Sequence, residues 1–134
     1  MSYMLDTNIC IYLIKRNPES VLKKMQENMW NGLCISSITL AELNHGVFAS
    51  VAVEGNNIAL TQFLSIIEIL PFDGEAAFEY GKVAADLKKK GTPIEPMDAL
   101  IAGHALATGN TLVTNNVKEF NRVSGLKIEN WVNE

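Results

Sequence analysis

Cysteine is scarce in this chain: Cys10 and Cys34 stand alone, far apart and outside any Cys-x-x-Cys spacing. Two isolated thiols make neither a disulfide framework nor a zinc site, and they read as small core residues in a reducing compartment. Histidine is equally rare, with only His45 and His104. Positive charge is the minority sign, because 11 Lys and Arg face 15 Asp and Glu for a net charge of −4. That balance argues against a protein that blankets nucleic acid with cations. It leaves open an enzyme that works through clustered acids, since bound divalent cations invert the local charge. The basic residues that exist fall in small groups, such as Lys88 to Lys90 and then Lys118, Arg122 and Lys127, of the kind that make solvated helix faces. No apolar run approaches the roughly 20 residues that span a bilayer, and the first residues lack the features of a secretory signal. A cytosolic protein is expected. There is also no Gly-x-Gly-x-x-Gly after the first strand and no Walker-type Lys, so those modes of nucleotide binding find no support.

What remains is an apolar chain of 134 residues, 48% hydrophobic, long enough for one compact domain over residues 1–134. Strands and helices alternate along it. Strands are expected at Tyr3 to Leu5, Leu33 to Ser36, Ile66 to Leu70, Thr111 to Thr114 and Leu126 to Ile128. Between them, helices are expected over Thr7 to Arg16, Pro18 to Met29, Ser37 to Ala49, Asn56 to Ser65, Gly74 to Lys90, Met97 to Thr108 and Asn116 to Phe120. In the long Gly74 to Lys90 helix, Phe78, Val83 and Leu87 fall on or near one stripe. Such alternation predicts an α/β fold: a mostly parallel sheet of 4–5 strands with helices on both faces.

In open parallel sheets, ligands bind beyond the carboxyl ends of the strands. Asp6 follows the first strand, Glu42 lies one turn into the helix after the second, and Asp98 opens the helix before the fourth. Asn116 and Glu119 follow the fourth strand directly. Carboxylates gathered at one edge repel each other strongly unless a cation sits among them. Hard oxygen donors without a Cys or His cluster point to Mg²⁺ or Mn²⁺. The same residues have a second explanation as helix caps, and Thr39-Leu-Ala-Glu42 and Asn116-Val-Lys-Glu119 both have the spacing of a capping box or its Asn variant. On pattern alone both readings stand.

Met4-Leu-Asp-Thr-Asn8, Ser36-Ser-Ile-Thr-Leu-Ala-Glu-Leu43 with Gly46, Pro93-Ile-Glu-Pro-Met-Asp-Ala-Leu-Ile-Ala-Gly-His-Ala105, and Val113-Thr-Asn-Asn116 with Glu119-Phe120 follow in order along nearly the whole chain. This series resembles the PIN-domain ribonucleases, and more narrowly the VapC toxins of bacterial toxin-antitoxin pairs. The resemblance implies an α/β/α PIN-like domain, usually a homodimer, that cuts RNA with Mg²⁺ or Mn²⁺ and is neutralised by a VapB antitoxin, meeting DNA only through that antitoxin. It assigns Asp6, Glu42 and Asp98 to the acidic triad that holds the metal. It assigns Thr7 and Asn8 to an Asp-Thr-Asn signature whose hydroxyl and amide orient Asp6 or a bound water, and Thr114 to the polar residue closing the fourth strand. It further implies hydrolysis by metal-activated water and a transfer-RNA substrate cut in its anticodon region, which inhibits translation. Two positions depart from the pattern. Asn116 stands where many PIN domains carry an acid, leaving Glu119 as the candidate substitute; Glu95 stands where many relatives of this type carry Gly, beside Asp98 at the rim.

Other readings are weaker. Asn116 in place of an acid allows a non-catalytic PIN-like binding module that acts through its antitoxin and DNA, although three retained acids weigh against it. A response-regulator-like pocket finds Asp73 after the third strand but lacks the paired acids at the first. Glu42-x-x-His45 has di-iron spacing, but a single such pair makes His45 a helix-face residue, and His104 reads as a packed or capping histidine. Trp30, Trp131 and Tyr80 are too dispersed for a stacking platform and are expected in core or interface packing. The Asn8 to Ile14 helix and the Ser37 to Ser65 hairpin carry more apolar residues than one face can bury, which predicts a dimer or antitoxin groove.

Overall fold

The computed structural model describes residues 2–132. Five strands form one sheet: β1 (Tyr3–Leu5), β2 (Leu33–Ser36), β3 (Glu68–Leu70), β4 (Thr111–Val113) and β5 (Ile128–Glu129). Their order is β3-β2-β1-β4-β5, and every pairing is parallel. The connections hold α1 (Thr7–Lys15), α2 (Glu19–Asn28), α3 (Ser37–Phe48), α4 (Val53–Leu64), α5 (Gly74–Lys89), α6 (Pro96–Thr108) and α7 (Val117–Phe120).

Side chains alternate across each strand and so build two cores. Tyr3, Leu5, Leu33, Ile35 and Val113 join the apolar sides of α1, α2, α3 and α4. Met4, Cys34 and Leu112 point the other way, into Val83 and Leu87 of α5, Ile101 and Ala105 of α6, and Phe120 of α7. Covered on both faces, β1, β2 and β4 are wholly buried. That double burial is why they read as unbroken apolar runs rather than as alternating ones. The expected α/β/α architecture is therefore the one adopted.

Several boundaries differ from the sequence reading. The α4 helix starts at Val53, three residues before the expected Asn56, although Ala52 supplies no side-chain cap. Ile66 and Ile67 form a turn, their N–H groups donating to the carbonyls of Phe63 and Leu64, so β3 begins only at Glu68. The last strand is Ile128–Glu129, not Leu126 to Ile128, because Leu112 and Val113 pair with those two residues. Phe78 is 68% exposed, with the Lys82 ammonium 5.4 Å from its ring centroid. The buried stripe of α5 is Ala76, Val83 and Leu87, from which Phe78 is turned away by helical geometry. Trp131 packs edge-on against Tyr3, whereas Trp30 is 97% exposed. Cys10 and Cys34 are buried free thiols, as expected. Among the described residues, no helix is long and apolar enough to cross a membrane.

The chain leaves β1 toward β2 on one side and returns, after β3, to β4 on the other. The connections thus diverge between β1 and β4, which opens a crevice at the carboxyl ends of those two strands.

Candidate active site

Asp6 stands at the mouth of this crevice. It is 5% exposed and tied to the backbone: its N–H donates to the carbonyl of Val113 on β4 at 3.0 Å, its carbonyl accepts the Cys10 N–H at 3.1 Å, and its Oδ1 accepts the Ile9 N–H at 2.9 Å. Asp6 is therefore the N-cap of α1 in fact as well as in pattern. Burial raises its pKa above the ordinary carboxylate range. The Thr114 hydroxyl and the Ile9 N–H partly offset that rise, and the negative charge of Glu42 adds to it.

The second acid comes from α3. Ser36 opens this helix, its Oγ accepting the Ile38 N–H at 3.0 Å, and Glu42 follows in the next turn. The Thr7 hydroxyl donates to Glu42 Oε1 at 2.5 Å. The capping box expected for Thr39 and Glu42 does not form: Thr39 lies inside the helix, fully buried, and its hydroxyl has no partner among the described residues. Ser36, three residues earlier, caps instead.

Asp98 sits in the first turn of α6. Pro96 starts the helix, where its missing N–H costs nothing, and Glu95 is the N-cap, its Oε2 accepting the Asp98 N–H at 3.2 Å. Glu119 on α7 faces Asp98, and its Oε1 accepts the backbone N–H of Glu95 at 3.3 Å. The Asp98 and Glu119 carboxyls form a hydrogen-bonding pair. Burial, and then the facing Glu119, pushes the Asp98 pKa up; Glu119 is held down by the hydrogen bond from Asp98, with help from Asn116 and the charge of Arg122.

The remaining candidates settle as follows. Thr114 is buried at the end of β4 and its Oγ1 accepts the Asn116 N–H at 2.9 Å. Asn116 precedes α7 but provides no side-chain cap; its amide interacts with Glu119, so the Asn variant of a capping box is absent there too. Thr7 does not orient Asp6, because its hydroxyl is committed to Glu42. Asn8 is exposed, and it is its backbone N–H rather than its amide that favours the Asp6 carboxylate. Asp73 caps α5, and His45 is exposed on α3. His104 is a buried, packed histidine with Nδ1 2.8 Å from Ser36 Oγ. Sequence reasoning missed the Ser36–His104 bond, which spans 68 residues. It also missed Arg122, whose only signal was its place one turn after Glu119.

All the side chains gathered here offer hard oxygen donors, as Mg²⁺ or Mn²⁺ requires. Asp98 carries the negative influence of Glu119, Glu95 and Asp6 at once, and a proton shared between Asp98 and Glu119 relieves the same repulsion that a cation would relieve. The site is not a preformed cage: among the described residues, no three carboxylate, imidazole or thiol groups already enclose an ion. Donor type and charge fit a divalent cation.

Comparison with known proteins agrees with this fold. The PIN domain family matches residues 3–126. The chain is 45% identical over 131 residues to the tRNA(fMet)-specific endonuclease VapC of Salmonella typhimurium, covering 98% of each. It is 48% identical over 134 residues to ribonuclease VapC2 of Rickettsia felis, again covering 98% of each. Among solved structures, VapBC2 from Rickettsia felis bound to a DNA fragment from its promoter superposes with a TM-score of 0.94 at 46% identity, covering 98% of this chain and 100% of that one. A match of sequence and fold over 98% of the chain places it in the VapC ribonucleases of the PIN-domain family.

Proposed function

We propose that this chain, acting as a single domain over residues 1–134, is a divalent-cation-dependent endoribonuclease toxin that cuts transfer RNA in its anticodon region and so halts translation in the cytoplasm. The observation that carries the reading is the meeting of Asp6, Asp98 and Glu119 at the β1–β4 crevice of a chain that matches VapC ribonucleases from end to end. The name of the Salmonella relative supports initiator tRNA as the substrate.

In this reading Asp6 and Asp98 would hold Mg²⁺ or Mn²⁺ with Glu42 nearby, and a cation held there would supply an acidified water and charge stabilisation at the scissile phosphate. The residues do the rest. The Ile9 N–H and Thr114 fix the direction of the Asp6 carboxylate, Thr7 fixes Glu42, and Glu119 with Asn116 holds Asp98. No nucleophilic side chain is needed, and the RNA 2′-hydroxyl takes no part. Preference for RNA then rests on shape and on contacts to unstacked loop bases.

A VapB-type antitoxin and a second copy of the chain are the expected partners, with DNA met only through the antitoxin. The solved Rickettsia complex, which is bound to promoter DNA, supports this, as does an apolar groove lined by Ile11, Ile14, Leu43, Val47 and Leu60. Phe48, Val51 and Ile58, all exposed, extend the apolar surface around the α3–α4 turn.

The test is a digest of a tRNA pool with Mg²⁺ or with chelator, comparing wild type with Asp6→Asn. Asparagine caps a helix as well as aspartate does, whereas Asp6→Ala would also lose about 1 kcal/mol of capping. Wild type is expected to cut only with Mg²⁺, and Asp6→Asn to fold normally without cutting. Intact tRNA in every lane, or cleavage by Asp6→Asn at the wild-type rate, would overturn the proposal.

A further inference from the structure

We propose that Arg122 is a positioning residue for Asp98, acting through Glu119 and the segment that leads into α6; the inference rests on the nuclease reading above. Among the described residues, the Asp98 side chain makes no hydrogen bond to the central strands. Its N–H is held by the Glu95 side chain at 3.2 Å, and its carboxyl is paired with Glu119. Phe120 and Ile94 pack both supports against the second core, and their polar side is left to hydrogen bonds. Residues 92–95 have no regular secondary structure, and α7, which carries Glu119, is 4 residues long with no side-chain cap. So short a helix has little stability of its own.

Two hydrogen bonds join these pieces. Arg122 Nη1 donates to the Pro93 carbonyl at 3.1 Å, and the Glu95 N–H donates to Glu119 Oε1 at 3.3 Å. Glu119 and Arg122 lie one turn apart, so α7 grips the segment at two points, Pro93 and Glu95. Proline offers no N–H, which leaves its carbonyl as the available backbone handle. Released by Arg122, the segment would shift Glu95 and Glu119 together, and Asp98 with them. A guanidinium suits this task because its fixed fork keeps one N–H on the carbonyl while its charge acts on Glu119. Lys90 is engaged elsewhere, paired with Asp86 at 2.9 Å and reaching Ser124.

The test uses the full chain with Arg122→Ala and Arg122→Lys, reading kcat and KM on tRNA and, separately, Mn²⁺ binding to the free protein by electron paramagnetic resonance. Arg122→Ala is expected to lower kcat about tenfold, as small misplacements of reacting groups do. KM should stay within about twofold, because substrate binding is untouched. Mn²⁺ binding should weaken in parallel, and Arg122→Lys should recover part of both. If Arg122→Ala does not fold, the lysine variant carries the same test with a smaller effect. Unchanged kcat and Mn²⁺ binding would overturn the proposal. So would a raised KM with a shallower salt dependence, the mark of a lost phosphate contact. A wild type that neither cuts RNA nor binds Mn²⁺ sinks the nuclease reading and this one with it; wild-type activity with an indifferent Arg122→Ala sinks this one alone.

Discussion

His104 shows how much a single side chain owes to the fold. It is 1% exposed, with Phe72 edge-on to its ring at 5.4 Å and Ser36 Oγ 2.8 Å from Nδ1. Ser36 Oγ also accepts the Ile38 N–H, so one hydroxyl ties the imidazole to the start of α3. Burial lowers the His104 pKa below its ordinary 6.5, with the charge of Asp73 partly opposing. The sign follows: the unfolded chain binds this proton more readily, so its contribution to stability is full above pH 6.5 and falls as pH drops below it. Asp6 and Asp98, whose pKa values are raised, act in the opposite direction, so the effect is read as a difference. Urea denaturation of wild type and His104→Gln between about pH 8 and about pH 5 should give curves that converge toward acid. Parallel curves would mean that His104 is not held neutral. Since Ser36 also caps α3, protonation reaches the helix that carries Glu42.

At the scale of elements, the contact between α5 and α6 is the tightest. A Cβ built on Gly103 would lie 2.6 Å from both the N and the Cα of Tyr80, so the two backbones meet where only glycine fits. Gly103→Ala is therefore expected to destabilise the protein by about 1–3 kcal/mol, measured by urea denaturation, because the clash is with backbone and cannot be relieved by a rotamer. A stability within error of wild type would refute that close approach. Most elements were legible beforehand. The strands β1, β2 and β4 announce themselves as apolar runs, and Pro18, Pro71 and Gly91 punctuate the helices around them. The misses have local causes. Ile66 and Ile67 have the composition of strand residues, but their N–H groups are spent on the end of α4. Phe78 has the composition of a core residue, yet α5 already buries Ala76, Val83 and Leu87 against the sheet and turns Phe78 to water.

The molecule carries a net charge of −4, with Asp6, Glu42, Asp98 and Glu119 at the carboxyl edge of its parallel sheet, and a cation bound there should stabilise the fold. Any ligand that binds only the native state adds RT ln(1 + [L]/Kd), about 2.7 kcal/mol at a hundredfold excess over Kd. Thermal denaturation after chelator treatment is expected to rise on adding Mn²⁺ for wild type and to stay flat for Asp98→Asn. An equal rise in both would place the ion elsewhere. The acids themselves were legible because strand-helix alternation puts Asp6 just after β1 and Glu42, Asp98 and Glu119 in the first two turns of α3, α6 and α7, and Asp6 was rightly read as a helix cap. The partners of those acids were not legible. Thr7 turning to Glu42, Glu119 meeting Asp98, and Arg122 reaching Pro93 join residues 35, 21 and 29 positions apart. The sequence by itself determined the parallel α/β sheet, the buried central strands and the set of acids, because burial and helix-start preferences act over a few neighbouring residues. Only the tertiary structure decided which acids face each other, which have their pKa raised by burial and which side chains brace them, because pKa values and hydrogen bonds depend on distances between elements that no local pattern records.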